Sequence, residues 1–223
     1  GVDYLKALEG GIQGLRVAWS PDLGYAAVAP EVQVITEAAI KIFEGLGCHV
    51  EQADPGFEDP EPIWGTMVSA ALGARLGGYL PEWSDRIDPP LVKIIEEGKV
   101  MSASQLMQVF FQRVTLWDMA RRFFARYDLL LTPTLAVPPF TVGVEAPREI
   151  AGRTVARRAW FAFTHPFNLT GQPAASVPCG WTKEHLPVGL HIVGRRFDEV
   201  TVLKAAAAFE AASSWADRRP PIG

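Results

Sequence analysis

Apolar positions in the first fifty residues follow two different periods. Residues 15–20 and 48–52 alternate apolar and other side chains, as half-buried strands do. Between them, apolar residues recur at helical spacing from Pro30, which suits the first position of a helix, to about Gly45. A strand, a helix and a strand in this order predict a crossover between parallel strands, and therefore an α/β sheet.

Residues 60–126 show an interrupted helical pattern. One helical segment is predicted from Pro62 to about Tyr79. The chain is expected to break after it at three prolines: Pro81, Pro89 and Pro90. Ser102 with Gln105 is typical of a capping box and predicts the start of a longer helix. The apolar face of that helix is expected to lie in the core and comprises Leu106, Val109, Phe110, Val114, Trp117, Met119 and Phe123.

Three apolar stretches in the second half predict further strands, at residues 128–133, 174–177 and 188–193. The last two are joined by residues 179–185, a link short enough for an antiparallel hairpin. Asp198 is placed to cap a final helix. The residues of that helix expected to face inward are Val200, Leu203, Ala207 and Phe209. A polar, non-helical tail, Arg218-Arg219-Pro220-Pro221, is expected at the end of the chain.

Composition limits the class of protein. The 223 residues are expected to form one α/β domain, a mixed sheet flanked by helices, over positions 1–223. With 21 basic and 25 acidic residues, nothing favours nucleic acid as a partner. No signal peptide or membrane span is visible, so no membrane partner and a cytoplasmic location are expected. The opening Gly1, in place of Met, is typical of the middle of a longer chain.

The chain shows no self-contained catalytic motif. It lacks a GxSxG elbow, a glycine-rich phosphate loop and HExxH. A Cys-His-Asn site from Cys179, His165 and Asn168 is an alternative, but Cys179 follows a strand and has no helix N-terminus to lower its pKa. The simpler interpretations are that the Cys179 thiol is inert, that His165 is hydrogen-bonded in a loop, and that His191 lies in the core with its hydrogen bonds satisfied. The carboxylates Glu58, Asp59 and Glu61 suggest a solvated loop, and no metal site is predicted.

Two long segments are free of formal charge although they are rich in polar and turn-forming residues. They are residues 129–144 and 159–182, which contain many Pro, Gly, Thr, Asn and Gln side chains. Buried polar groups of this kind need partners, and loops at strand ends are where α/β proteins place ligand pockets. These segments therefore predict the wall of a pocket.

Three segments also carry a recognisable pattern. They are residues 127–134 (YDLLLTPT), 164–180 (THPFNLTGQPAASVPCG) and 186–199 (LPVGLHIVGRRFDE). Their order and spacing, together with residues 14–19 (GLRVAW), resemble the amidase-signature family of amide hydrolases. The resemblance covers nearly the whole chain and implies the C-terminal portion of the amidase-signature fold.

The resemblance implies an enzyme about twice this length. In the family, a Lys and a Gly/Ser-rich stretch with two catalytic serines precede this half, and neither element is present here. The attacking Ser forms an acyl-enzyme while the second Ser relays its proton to a neutral Lys. The chain alone is thus predicted to hold no catalytic residue and to be inactive. Its expected partners are a small-molecule amide and the missing N-terminal half, with a homo-oligomer left open and no cofactor.

By the same resemblance, four residues are expected to line the acyl side of the substrate pocket: Thr134, Phe163, His165 and Asn168. Two positions depart from the family pattern. His191 stands where the family commonly has Gln, and Phe161 falls near an acidic residue of the glutamyl-tRNA amidotransferase subunit. The second departure argues against an ammonia-delivering role. A non-catalytic binding or scaffold protein derived from the same fold remains the alternative.

Overall fold

The computed structural model describes residues 1–218, so Arg219-Pro220-Pro221 of the predicted tail lie outside the described residues. The helices are α1 (Tyr4–Ala7), α2 (Pro30–Gly45), α3 (Glu61–Leu76), α4 (Leu80–Trp83), α5 (Pro89–Lys99), α6 (Ala103–Phe123), α7 (His165–Thr170) and α8 (Glu199–Ala212). The strands are β1 (Arg16–Trp19), β2 (His49–Gln52), β3 (Leu129–Pro133), β4 (Glu149–Ile150), β5 (Arg153–Thr154), β6 (Ala174–Trp181) and β7 (Pro187–Gly194). No helix of this described part is both long and apolar enough to cross a membrane.

The main sheet is mixed, as the sequence predicts. Its strand order is β2-β1-β3-β7-β6. Strand β1 runs parallel to both β2 and β3, whereas β7 is antiparallel to β3 and β6. The predicted hairpin is confirmed, but its strands are longer than expected and leave only residues 182–186 between them.

Helices cover both faces of this sheet. On one face, Val17, Leu131 and Ile192 pack against α2 and α8, where the stacked rings of Phe43 and Phe209 lie 5.5 Å apart. On the other face, a second buried cluster includes strand residues and the apolar side chains of α6 and α7: Ala18, Leu130, Val193, Leu116, Ala120, Phe123, Phe167 and Leu169. Both faces of β3 are buried, which explains its uninterrupted apolar sequence.

The helical pattern is interrupted after α3, as predicted, but the prolines lie at the starts of the next two helices and not in the breaks between them. Pro81 is the second residue of α4, and Pro89 and Pro90 open α5. A proline in the first helical turn loses no hydrogen bond, because the N–H groups of that turn have no partner within the helix. The same residues that would end a helix therefore start one here.

The long helix α6 is capped as predicted but is oriented differently. Ser102 and Gln105 form the capping box, in which the backbone N–H of Gln105 donates to the Ser102 hydroxyl at 3.2 Å. However, Phe110 and Val114 are exposed, and the fully buried positions lie toward the C-terminal end at Leu116, Ala120 and Phe123. The N-terminal part of α6 therefore extends beyond the buried core.

The predicted inward face of α8 is correct in part: Phe209 is buried, Val200 and Ala207 are half-buried, and Leu203 is exposed. Asp198 caps the helix as expected, accepting a hydrogen bond from the Thr201 amide at 3.2 Å. The other buried residues of the helix are Val202 and Ala205. Four consecutive alanines, at 205–208, place small apolar side chains on successive sides of the helix, so the pattern alone does not fix which side faces inward.

Candidate active-site wall

The candidate site lies at the sheet edge where the parallel strands β1 and β3 end. There the loop after β3 contacts the segment before α7, because the Ala136 amide donates to the Trp160 carbonyl at 2.9 Å. The Tyr25 hydroxyl fixes the same segment by donating to the Ala162 carbonyl at 3.0 Å. Burial, with Asp59 nearby, raises the pKa of Tyr25, so the phenol stays protonated and remains a donor. The two charge-free segments of the sequence are therefore neighbours at the edge where α/β proteins bind ligands.

Thr134 lines a groove at this edge. Its hydroxyl lies 2.7 Å from the hydroxyl of Ser176, and the groove of about 330 Å³ is otherwise bounded mainly by apolar residues of the post-β3 loop and the β6–β7 hairpin. Gly189 permits this pairing, because a Cβ atom there would lie 2.8 Å from both oxygens. When one hydroxyl donates to the other, the second keeps its own proton for a ligand. Thr134 therefore presents its hydroxyl to this groove, and its contact with a substrate stays a prediction.

The other predicted pocket residues have different surroundings. Phe163 is completely buried in the same core cluster as Ala136. Asn168 lies on the exposed side of α7, and its side chain makes no hydrogen bond within residues 1–218. Within residues 1–218, Thr134 lines a groove, whereas Phe163 is part of the core behind it.

His165 begins α7 and is completely buried. Its ring lies 4.9 Å from the Trp64 ring and 4.6 Å from the Phe161 ring, measured between centroids. Neither ring nitrogen has a hydrogen-bond partner in the described part of the chain, so the expected hydrogen-bonded loop histidine is not what the fold contains. Burial lowers the pKa of His165 below its ordinary value, although Asp59 and Glu61 oppose this. His165 therefore acts as a neutral, aromatic packing residue.

Next to His165, four further aromatic side chains pack against one another. We call Trp64, Phe140, Trp160 and Phe161 the aromatic wall. Neighbouring rings meet edge to face at centroid distances of 5.7 Å (Trp64–Phe161), 4.7 Å (Trp160–Phe161) and 5.4 Å (Phe140–Trp160). All four rings keep part of their surface exposed. They form an apolar surface beside the Thr134 loop.

Sequence reasoning missed much of this arrangement. Trp160 and Ser176 belong to the charge-free segment 159–182 but carry no separate signal there. Trp64 comes from α3, nearly a hundred positions before Phe161, and nothing in its local sequence links it to the site. Aromatic contacts over such separations become visible only when the fold is known.

The alternative Cys-His-Asn site is not assembled in the described part of the chain, because neither ring nitrogen of His165 has a hydrogen-bond partner there. Burial raises the pKa of the Cys179 thiol to about 12, so the thiolate is scarce near neutrality. Asn168, its proposed helper, is exposed on α7. Within residues 1–218, no three His, Cys, Asp or Glu side chains are grouped to hold a metal ion.

His191 is buried in β7, and its Nδ1 has no partner within residues 1–218, so the expected satisfied core histidine is incorrect. Burial lowers the pKa of His191 to about 4. As the pH falls, the unfolded chain, in which the pKa of histidine is near 6.5, binds a proton before the folded chain does. The free energy of unfolding is therefore at its full value above about pH 6.5 and decreases toward pH 4.

We expect the free energy of unfolding of wild type to decrease between pH 7 and pH 4 by roughly 3 kcal/mol more than that of His191→Gln. Urea unfolding at pH 7 and pH 4 measures it.

The exposed His185 provides the control for this experiment. His185→Gln is expected to leave the pH dependence of the urea midpoint unchanged. An identical acid loss in wild type and His191→Gln would show that His191 does not titrate as its burial requires.

Comparison with known proteins agrees with this fold. The model of the family described as Amidase matches residues 2–203. The acylamidase of Rhodococcus erythropolis is 34% identical over 97% of this chain and 46% of its own length. A glutamyl-tRNA(Gln) amidotransferase subunit of Moorella thermoacetica is 31% identical over 99% of this chain and 49% of its own length. The chain thus spans about half the length of the curated relatives it matches.

Solved structures give the same result. A bacterial aryl acylamidase of the amidase signature family superposes with a TM-score of 0.86 at 31% identity, covering 98% of this chain and 49% of that enzyme. A 6-aminohexanoate cyclic dimer hydrolase shares the fold, with a TM-score of 0.87 at 23% identity over 99% of this chain and 50% of that enzyme. The resemblance in the sequence is confirmed, and the chain belongs to the amidase family of amidase-signature proteins.

Proposed function

We propose that this chain is the C-terminal half of an amide hydrolase whose catalytic Ser, Ser and Lys lie upstream of Gly1. The observation that carries the proposal is a match to the amidase family over residues 2–203 in a chain half as long as its relatives.

In the proposed reaction, an upstream Ser oxygen attacks the amide carbonyl, and the C–N bond then breaks. The Ser proton passes through the second Ser and the Lys to the leaving amine, and water later releases the acid from the acyl-enzyme. This chain contributes the acyl side of the pocket. Thr134 offers a hydroxyl to the substrate, and Phe163 and His165 support the aromatic wall. Asn168, exposed on α7, is available to the substrate or to the upstream half.

Hydrolysis is proposed over the role of an amidotransferase subunit because of Phe161. The position near Phe161, where the amidotransferase subunit is expected to carry an acidic residue, is occupied here by a ring packed against Trp64, Trp160 and His165. An apolar surface of this kind suits an apolar acyl group and disfavours a charged one.

The test is to express the protein together with the coding sequence upstream of Gly1 and to compare it with residues 1–223 alone. The longer protein is expected to hydrolyse simple carboxamides, with ammonia release as the readout, and the chain alone is expected to show background rates. A matched variant of the upstream nucleophile should also be inactive. An inactive longer protein that still binds amides would favour the alternative, a binding or scaffold protein.

A further inference from the structure

An ion pair joins the two parts of the chain that supply the aromatic wall. Arg158 Nη1 lies 2.6 Å from Glu61 Oε1, and both side chains are mostly buried, with 24% and 22% of their surface exposed. The Arg158 guanidinium also lies over the Trp64 ring, 5.6 Å from its centroid. Gly65 makes this approach possible, because a Cβ atom there would lie 2.9 Å from Arg158 Nη1.

The position of this pair along the chain gives it a specific role. Glu61 and Trp64 are three residues apart on α3, and side chains at this spacing share one helix face. Arg158 directly precedes the 3₁₀ turn Ala159–Phe161, which carries two rings of the wall. The ion pair and the cation–π contact therefore hold Trp64 and Phe161 against each other across nearly a hundred residues of sequence.

The neighbouring arginine provides a natural comparison. Arg157 also forms an ion pair, with Glu145 at 3.0 Å, but 50% and 57% of these side chains are exposed. Exposed pairs of this kind contribute little because water and salt screen them. Two adjacent arginines thus differ in burial and in contact with the wall.

We propose that Arg158 and Glu61 are positioning residues that hold the aromatic wall in place to receive an aromatic ring on the acyl side of the amide. The proposal rests on the proposed function and specifies its substrate class as aromatic carboxamides. The wall offers ring edges and faces at the 4.7–5.7 Å centroid spacings that aromatic pairs adopt, and a planar ring can extend this arrangement. A small aliphatic acyl group gains no such contact.

The experiment compares benzamide with propionamide in the longer protein. Arg158→Gln and Glu61→Gln are expected to raise KM for benzamide about tenfold, equivalent to about 1.4 kcal/mol, and to leave kcat for benzamide and both constants for propionamide within about twofold. Arg158→Lys keeps the charge and should recover part of the loss. Arg157→Gln is the matched control and should behave as wild type.

Benzamide binding, followed by ligand-detected NMR, separates this inference from the proposed function. Weaker benzamide binding in Arg158→Gln, without hydrolysis by any variant, would support the positioning role and contradict the hydrolase. Unchanged benzamide binding in Arg158→Gln would overturn the positioning role whether or not amides are hydrolysed. If Arg158→Gln raises KM equally for benzamide and propionamide and also lowers the urea midpoint, the ion pair is a purely structural contact. That result would also overturn the positioning role.

Discussion

Gly98→Ala is expected to destabilise the protein by about 3 kcal/mol or more, which is large for the addition of one methyl group. Helices α3 and α5 touch backbone to backbone at this point. A Cβ atom on Gly98 would lie 1.7 Å from the Ser69 carbonyl oxygen and 3.0 Å from the Gly73 nitrogen. These atoms belong to the α3 backbone, so no side-chain rotation relieves the overlap and the two helices must move apart.

Urea unfolding of Gly98→Ala measures this effect, and Gly45→Ala is the matched control. Gly45 is the last residue of α2, and an added Cβ atom there meets nothing within 4 Å. The control is expected to be neutral or stabilising by about 0.5–1 kcal/mol, since alanine favours the helix. Equal unfolding midpoints for the two variants would contradict the close contact between α3 and α5.

Phe163→Ala is expected to cost about 3–5 kcal/mol. Phe163 has no exposed surface and packs in the core cluster on the α6 side of the sheet. Its removal leaves a cavity that the neighbouring strands and helices fill only in part, so lost burial and lost packing add together. The same change should raise KM for amides, because the wall loses its support.

Thermal or urea unfolding of Phe163→Ala, with Phe111→Ala as control, tests this expectation. Phe111 is 66% exposed on α6 and should change stability by less than about 1 kcal/mol. A small cost for Phe163→Ala with a large rise in KM would mean that Phe163 contacts substrate directly and is not a core residue.

The parts of the fold that local physics determines were predictable. The alternating positions of residues 15–20 identified β1, and the apolar run 129–131 identified β3 as a strand. The Ser102 capping box located the start of α6. In each case a few adjacent residues carry the whole signal, so no knowledge of distant partners is needed.

The parts that depend on distant partners were not predictable. The exposed Phe110 and Val114 of α6 look like core residues until the position of α6 on the sheet is known. The prolines of α5 carry the same local signal whether they end or open a helix. In both cases tertiary packing decides between structures that the local sequence permits equally.

The candidate site shows the same division. The charge-free segments and the family resemblance led to Thr134 and to the region of Phe161, both of which lie at the sheet edge where a pocket is expected. The burial of His165 without a hydrogen-bond partner was not foreseen, because polar residues in a neutral loop usually suggest hydrogen bonds. Trp64 and Glu61 reach the site only through the packing of α3.

The central claim is that the attacking residue lies outside this chain, and covalent trapping tests it most directly. The longer protein is treated with a serine-reactive fluorophosphonate, and the modified peptide is identified by mass spectrometry after digestion. We expect a single adduct on a serine upstream of Gly1, loss of amide hydrolysis in proportion to labelling, and no adduct within residues 1–223. An adduct on Ser176 or Cys179 that abolishes hydrolysis would contradict it.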